Sequence, residues 1–326
     1  MKISAATINS MRLNYIQPNK RSFSPNSLLK QKLLLLIAFC SIFISVKAQD
    51  LDPRLYANLP KKMNAAAIGY GLMTGNVVTD PSLPIQDFNI TSHNIGIGYV
   101  RTFGLLNKLA RLQVNLPYVI MDGNLKINGQ DTSGSRSGFG DTRVRLGINL
   151  LGSPALDKKE FRKYQQETIL GFSIITSIPT GLYYSDKRIN IGSHRWAFKP
   201  ELGISHRFKH VYAEAYAGVW LYTNNAEYMT NKLLVQQPVF SFQGHASYYF
   251  KNQMWVGVDA NWFNGGETIV NGKTSGDLND NWRMGGTWSV PITRSQSIKL
   301  QLNAGAFKNT GLNYNVYSLT YQYVFF

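Results

Sequence analysis

Segments in which apolar and polar residues alternate, connections that come long and short in turn, and an N-terminal export signal predict an all-β chain. The fold class they point to is a transmembrane antiparallel up-and-down β-barrel of about 12 strands. Side chains of a strand point alternately to its two faces, so each segment separates an apolar face from a wet one. After residue 49 no apolar run reaches the ~18 residues of a membrane-spanning helix. Mean hydropathy is −0.18, the neutral value to which alternating strands average.

The first 49 of the 326 residues stand apart from this pattern. Lys30 and Lys32 form a basic region, and residues 33–46 an apolar stretch short of the ~20 residues a span needs. Val46-Lys47-Ala48 then offers a cleavage site, with Gln49 expected as the first mature residue. Together these features make a secretory signal peptide. The basic region lies unusually far into the chain, and Met11 offers a later start. Cys40, the only cysteine, follows Phe39, which is too bulky for a lipoprotein site. A mature chain without cysteine enters an oxidising compartment with no disulfide to hold it. Two regions result: an extension and signal peptide over 1–49, and a barrel domain over 50–326.

The strands follow in order. Ala66, Ile68, Tyr70 and Leu72 make the first apolar face, and Ile95, Ile97, Tyr99 and Phe103 the second. Leu112, Val114, Leu116, Tyr118 and Ile120 oppose Arg111, Gln113 and Asn115 in the third; Val144, Leu146 and Ile148 oppose Arg143, Arg145 and Asn149 in the fourth. The fifth, residues 168–178, is apolar on both faces and reads as a strand by its β-branching. Phe198, Leu202, Ile204 and Phe208 lead the sixth, and Val211, Ala213, Ala215 and Ala217 the seventh. Phe240, Phe242 and Tyr248, then Val256, Val258 and Trp262, then Trp282, Met284 and Trp288, then Ile298, Leu300 and Leu302 carry the next four. Tyr317, Leu319, Tyr321, Tyr323 and Phe325 make the last, although Val324 and Phe326 break its polarity at the end.

Long polar connections at 74–89, 121–137, 180–193, 223–233 and 264–281 alternate with short ones at 104–108, 209–210, 251–253 and 291–296. The charged stretch 152–164 is the one long connection in a short position, and reads as a solvated turn. A membrane barrel sorts its loops this way, long outside and short on the periplasmic side. A secreted β-sandwich, the alternative, has no reason to. Trp196, Phe198, Trp262, Trp282, Tyr248 and Phe250 fall near strand ends, where an interfacial aromatic belt belongs.

The formal charge of +16 overstates the mature protein: seven basic residues lie in the first 49 positions, leaving 27 basic against 18 acidic, or +9. If the apolar faces meet lipid, the polar faces line the lumen. There Arg111, Arg143, Arg145, Arg195, Lys199, Arg207, Arg283 and Lys299 stand against Glu201, Glu214 and Asp259. Such an interior either favours anions passing through or is filled by ion pairs, for example Arg195 or Lys199 with Glu201 and Glu214. Both readings stay open on sequence alone. The export signal makes nucleic acid an unsuitable partner for the basic charge; anionic lipopolysaccharide or an anionic solute suits it better.

Gly138-Phe139-Gly140-Asp141 lacks the Lys-Ser/Thr and helix of a phosphate-binding loop. It reads as a strand-entry bend in which the glycines permit unusual dihedrals and Asp141 pairs nearby. His245-Ala246-Ser247 places a histidine and a hydroxyl on one face, with Asn261 available to orient the imidazole. That is the arrangement of an outer-membrane phospholipase, yet the pair belongs to the lumenal phase, away from lipid. His93, His194, His206 and His210 show no metal-ligand spacing.

Two longer stretches resemble a known family. Ser137-Gly-Phe-Gly-Asp-Thr-Arg-Val-Arg-Leu-Gly, and Ile178-Pro-Thr-Gly-Leu-Tyr followed by Ile189-Asn-Ile-Gly-Ser-His-Arg-Trp-Ala-Phe-Lys-Pro, are similar to the pattern of the outer-membrane family named for the "putative meta-pathway of phenol degradation". The closing segment also resembles the aromatic C-terminal strand that the barrel assembly machinery reads. The resemblance implies an outer-membrane channel or transporter for small solutes, with aromatic or hydrophobic compounds suggested as cargo. It implies no enzyme activity and no cofactor. Outer-membrane lipid, lipopolysaccharide, the assembly machinery and a small-molecule solute are the expected partners. A plugged structural or surface-interaction barrel is the alternative.

Overall fold

The computed structural model describes residues 51–78, 85–127, 130–187, 189–304 and 311–326. The signal peptide, its cleavage site and Cys40 lie outside them.

Alternation does produce strands at every predicted place. The wall is built from β1 (Asn64–Val78), β2 (Ile85–Leu105), β3 (Lys108–Ile127), β4 (Gln130–Phe139), β5 (Thr142–Leu151), β6 (Thr168–Ile178), β7 (Ala197–Phe208) and β8 (Val211–Tyr222). Two short strands, β9 (Asn225–Tyr228) and β10 (Lys232–Gln236), precede β11 (Val239–Tyr249) and β12 (Trp255–Gly265). After β13 (Thr268–Val270) and β14 (Lys273–Thr274) come β15 (Asn279–Pro291), β16 (Gln296–Ala304) and β17 (Gly311–Phe325). Each wall strand pairs antiparallel with its neighbour, and β17 returns to β1 with Tyr321 opposite Ile68 and Leu319 opposite Tyr70. The barrel is therefore closed, and the backbone groups of its wall pair within the sheet and leave no edge to lipid.

β4 and β5 share one place in the wall: β3 pairs its upper half with β4 and its lower half with β5. Thirteen strands thus make a closed ring of 12 positions. The break falls at Gly140-Asp141. Neither Gly138 nor Gly140 takes a positive φ, so the dihedral explanation is corrected. They serve close packing instead: a Cβ on Gly138 would lie 2.8 Å from the Leu182 side chain, and one on Gly140 3.0 Å from Pro117. Asp141 does pair nearby, accepting from Gly181 N (3.0 Å), Ser193 N (2.9 Å) and Ser193 Oγ (2.5 Å). It ties residues 181–193 across the break.

The long connections are more ordered than the sequence suggests. β1, β2, β3 and β4 run well into residues 74–89 and 121–137, and β9, β10, β13 and β14 join in a separate four-stranded sheet. Past the membrane both faces of a strand are wet, so apolar alternation fades while the backbone ladder continues.

The two faces have opposite chemistry. Outward residues such as Ile97 (59% exposed), Val258 and Leu319 are bare, and the predicted belt residues Trp196, Phe198, Trp282, Tyr248 and Phe250 are exposed with them. Inward residues are polar and buried, among them Ser173, Glu201, Ser205 and Asn261. An apolar exterior around a polar interior is the reverse of a soluble core, and fits a wall solvated by lipid. The break of phase at Phe326 has a simple origin, while Val324 stays on the inward side of the strand. β17 ends at Phe325, and Phe326 lies beyond it with Lys158 Nζ 3.8 Å from its ring centre. Lys158 opens α1 (Lys158–Phe161), a single turn in the charged connection between β5 and β6.

Candidate functional site

Sequence periodicity does not identify what fills the barrel. Residues 51–63, just ahead of β1, fold back into the lumen at the short-turn end. Lys61 N bonds Leu156 O (2.8 Å) and Lys62 N bonds Thr102 O (3.0 Å) at the rim. From there the segment crosses beneath the wall, and Leu51, Leu55, Tyr56, Asn58 and Met63 are buried.

Tyr56 anchors it. Its ring occupies a slot between Gly171 of β6 and Gly203 of β7, which stand directly opposite each other in register. A Cβ at either position would lie 2.1 Å from the ring. The hydroxyl meets Ser173 Oγ (3.0 Å) and donates to Glu201 O (3.2 Å). Burial, then the nearby Glu201 carboxylate, push its pKa well up, so it stays protonated. Leu55, Tyr56, Ile169 and Tyr216 form the buried apolar cluster of the interior. This explains why β6 is apolar on both faces: Ile169 points inward onto the segment.

Polar contacts complete the docking. Arg54 donates to Glu214 from its backbone N (2.7 Å) and from Nη1 (3.2 Å), and its guanidinium lies over the Tyr212 ring. Arg111 donates to the Leu55 and Ala57 carbonyls, the latter at 2.7 Å. Asn149 reaches Tyr56 O (3.3 Å), and Gln301 reaches Leu51 O (3.1 Å). Backbone groups without strand partners are thereby satisfied by wall side chains.

The other predicted interior residues separate into four groups. Lys199 (2.6 Å) and Arg145 (3.0 Å) both pair with Glu201, forming a buried cluster just above the segment. Asp259 accepts from Thr287 (3.1 Å) and lies 2.7 Å from His245 Nδ1. Lys299 stands 3.8 Å from Asp52, and Arg207 donates to Lys209 O (2.8 Å) at the short-turn rim. Arg143, Arg195 and Arg283 instead line a cavity of about 550 Å³ in the long-loop half of the barrel. Two suggested pairings are corrected. Glu214 is taken by Arg54 rather than by Lys199, and Arg195 donates to Gln236 rather than to a carboxylate.

The His245–Ser247 pair lies on the buried lumenal face. Asn261 does not orient the imidazole: its amide oxygen accepts from Ser241, and Asp259 holds His245. Ser247 Oγ makes no hydrogen bond among the described residues. A nucleophile needs its base within reach, and a lipid substrate would need both groups on the outer face.

The segment at 51–63 is the part of the interior that sequence reasoning missed. Two signals marked it: an inward-facing Ile169, and glycines paired across neighbouring strands with nothing of their own to fill the space.

Comparison with known proteins agrees with this architecture. The family described as "Putative MetA-pathway of phenol degradation" matches residues 73–317. The fold is similar to the COG4313 outer membrane channel from Pseudomonas putida F1, at 18% identity and TM-score 0.71, over 85% of this chain and 100% of that one. The transport unit of the autotransporter AIDA-I from Escherichia coli is a more distant likeness, at 12% identity and TM-score 0.48, over 91% of this chain and 98% of that one. No curated protein matches the sequence.

Proposed function

The chain belongs to the family described as "Putative MetA-pathway of phenol degradation", and from that premise we propose that it is an outer-membrane channel for small solutes, gated from the periplasmic side by residues 51–63. The long loops then face the cell exterior and the short turns the periplasm. One observation carries the reading. A cavity of about 550 Å³ with charged and apolar lining opens inside the wall, and beneath it lies a segment docked by side chains rather than built into the sheet. A path that was merely filled would not need a separable floor.

Arg143, Arg195 and Arg283 on the cavity wall favour anions. Pro117, Val119, Ile191 and Phe263 on the same wall leave room for a hydrophobic or aromatic solute, the second class of cargo. The Glu201 cluster and the buried Tyr56 ring support the competing reading, a barrel permanently plugged, whose long loops do the work.

Single-channel recording in planar bilayers separates the two. The channel reading expects a small conductance in the full mature chain and a several-fold larger one when residues 51–60 are deleted, with the deleted protein still heat-modifiable on a gel. A folded deletion variant that conducts nothing would establish the plugged barrel. Export and outer-membrane insertion are checked by fractionation: the protein should be found in the outer membrane, starting near Gln49.

A further inference from the structure

We propose that the long-loop cavity is a binding site for a small organic monocarboxylate, its anionic head held by arginines and its apolar body against Trp220, Phe263 and Val239. The inference rests on the channel reading only in placing this cavity on the solute's path.

The charge on the cavity wall is one-sided. Arg143, Arg195 and Arg283 line it, and Asp141 is its only carboxylate among the described residues. Both Asp141 oxygens are already committed, one to Gly181 N and the other to Ser193 N and Oγ. Glu201, the next acid inward, lies deeper with Arg145 and Lys199. The Arg195 guanidinium is met by an amide, Gln236, and by the Tyr222 ring at 4.8 Å; its Nη1 is buried with no hydrogen-bond acceptor. Positive charge thus gathers here without an equal number of carboxylates.

Topology sets the arrangement. Arg143 on β5 and Arg283 on β15 come from strands six places apart in the ring of 12, whichever way round it is counted. They approach the cavity from opposite walls, with Arg195 entering ahead of β7. A carboxylate bound at any of the three meets a planar guanidinium, whose fork of donors matches it bidentately.

The remaining wall decides against an inorganic ion. Trp220 on β8 and Val239 on β11 are register partners, and Phe263 follows on β12 opposite Ser241. Arg143 lies 6.0 Å from the Trp220 ring centre and Arg283 5.8 Å from that of Phe263, so charge and apolar surface adjoin, and a small hydrated anion would use only the charge. The volume falls within the ~300–1,000 Å³ of sites for small organic molecules. An apolar body with one carboxylate uses both surfaces.

The test is isothermal titration of the full mature protein in amphipol, blank-corrected against empty amphipol, with hexanoate, hexanol and acetate. The proposal expects saturable hexanoate binding, at least tenfold tighter than either hexanol or acetate. Arg143→Gln combined with Arg283→Gln should weaken hexanoate at least tenfold, while Lys299→Gln, at the other end of the barrel, leaves it unchanged. Hexanol binding as tightly as hexanoate overturns the proposal on wild-type protein alone, so it can be refuted even if the double variant does not fold. Bilayer recording is independent. Hexanoate binding without conductance upholds the site and fails the channel reading; conductance without saturable hexanoate binding does the reverse.

Discussion

Truncating Tyr56 to alanine removes the anchor of the lumenal segment. The ring is 2% exposed and packs edge-on to Tyr216, with centroids 5.2 Å apart. Its hydroxyl contacts Ser173 and the Glu201 carbonyl. Removing a buried aromatic ring of this size costs ~3–5 kcal/mol. At about 1.4 kcal/mol per tenfold, the docking equilibrium shifts roughly a hundred- to several-thousand-fold toward the released state. The same shift can be driven from the wall. In Gly203→Ala the new Cβ sits 2.1 Å from Tyr56 Cε2, 2.4 Å from Tyr56 Cδ2 and 2.8 Å from Tyr216 Cδ1, so the ring must leave its place. Gly96→Ala is the control, since the nearest atom to its Cβ is Asn115 Oδ1 at 3.7 Å. Two assays read the outcome: mean conductance in planar bilayers, and trypsin cleavage at Lys61 and Lys62. Both should rise in Tyr56→Ala and Gly203→Ala and stay at wild-type level in Gly96→Ala. If the first two variants fold, as shown by heat-modifiability, yet match wild type in both assays, Tyr56 does not hold the segment in place.

Three further outcomes are expected. Arg54→Met leaves the Glu214 carboxylate buried without its ion-pair partner, at a cost of ~3–5 kcal/mol. Faster cleavage at Lys61 should report it, and the double variant with Glu214→Leu should recover much of the loss. Arg143→Gln should move the reversal potential in a salt gradient toward cation selectivity; an unchanged potential would show that ions do not pass this side chain. Asp141→Ala frees Gly181 N and Ser193 from a charged acceptor, where each such bond contributes ~1.5–3 kcal/mol. Hydrogen exchange over residues 181–193 should accelerate at least tenfold, and protection equal to wild type would show that another contact holds this stretch.

Much of the wall was legible because lipid outside and polar groups inside impose a period of two on every strand. Ile95, Ile97 and Tyr99, or Val256 and Val258, could face only outward once the fold was a barrel. The inward charges could be found by the same parity. Their partners could not, because pairing across a lumen depends on which strands stand opposite, and residues such as Arg145 and Glu201 are 56 positions apart. The lumenal segment escaped for a different reason. It is irregular backbone, so it carries no periodicity, and its contacts lie on six or more strands. The glycines at 171 and 203 were visible, but only the register that sets them side by side gives them meaning.

The claim at the centre of this account is that residues 51–63 close the path at its periplasmic end. The most direct measurement is single-channel conductance of the mature protein with Gly171 and residue 56 both replaced by cysteine, recorded oxidised and then reduced. Tethering the segment to β6 should hold the conductance at or below the wild-type level, and reduction should raise it several-fold in the same bilayer, because the Tyr56 anchor is gone. Equal conductance before and after reduction, with the disulfide shown to form and break, would contradict the account.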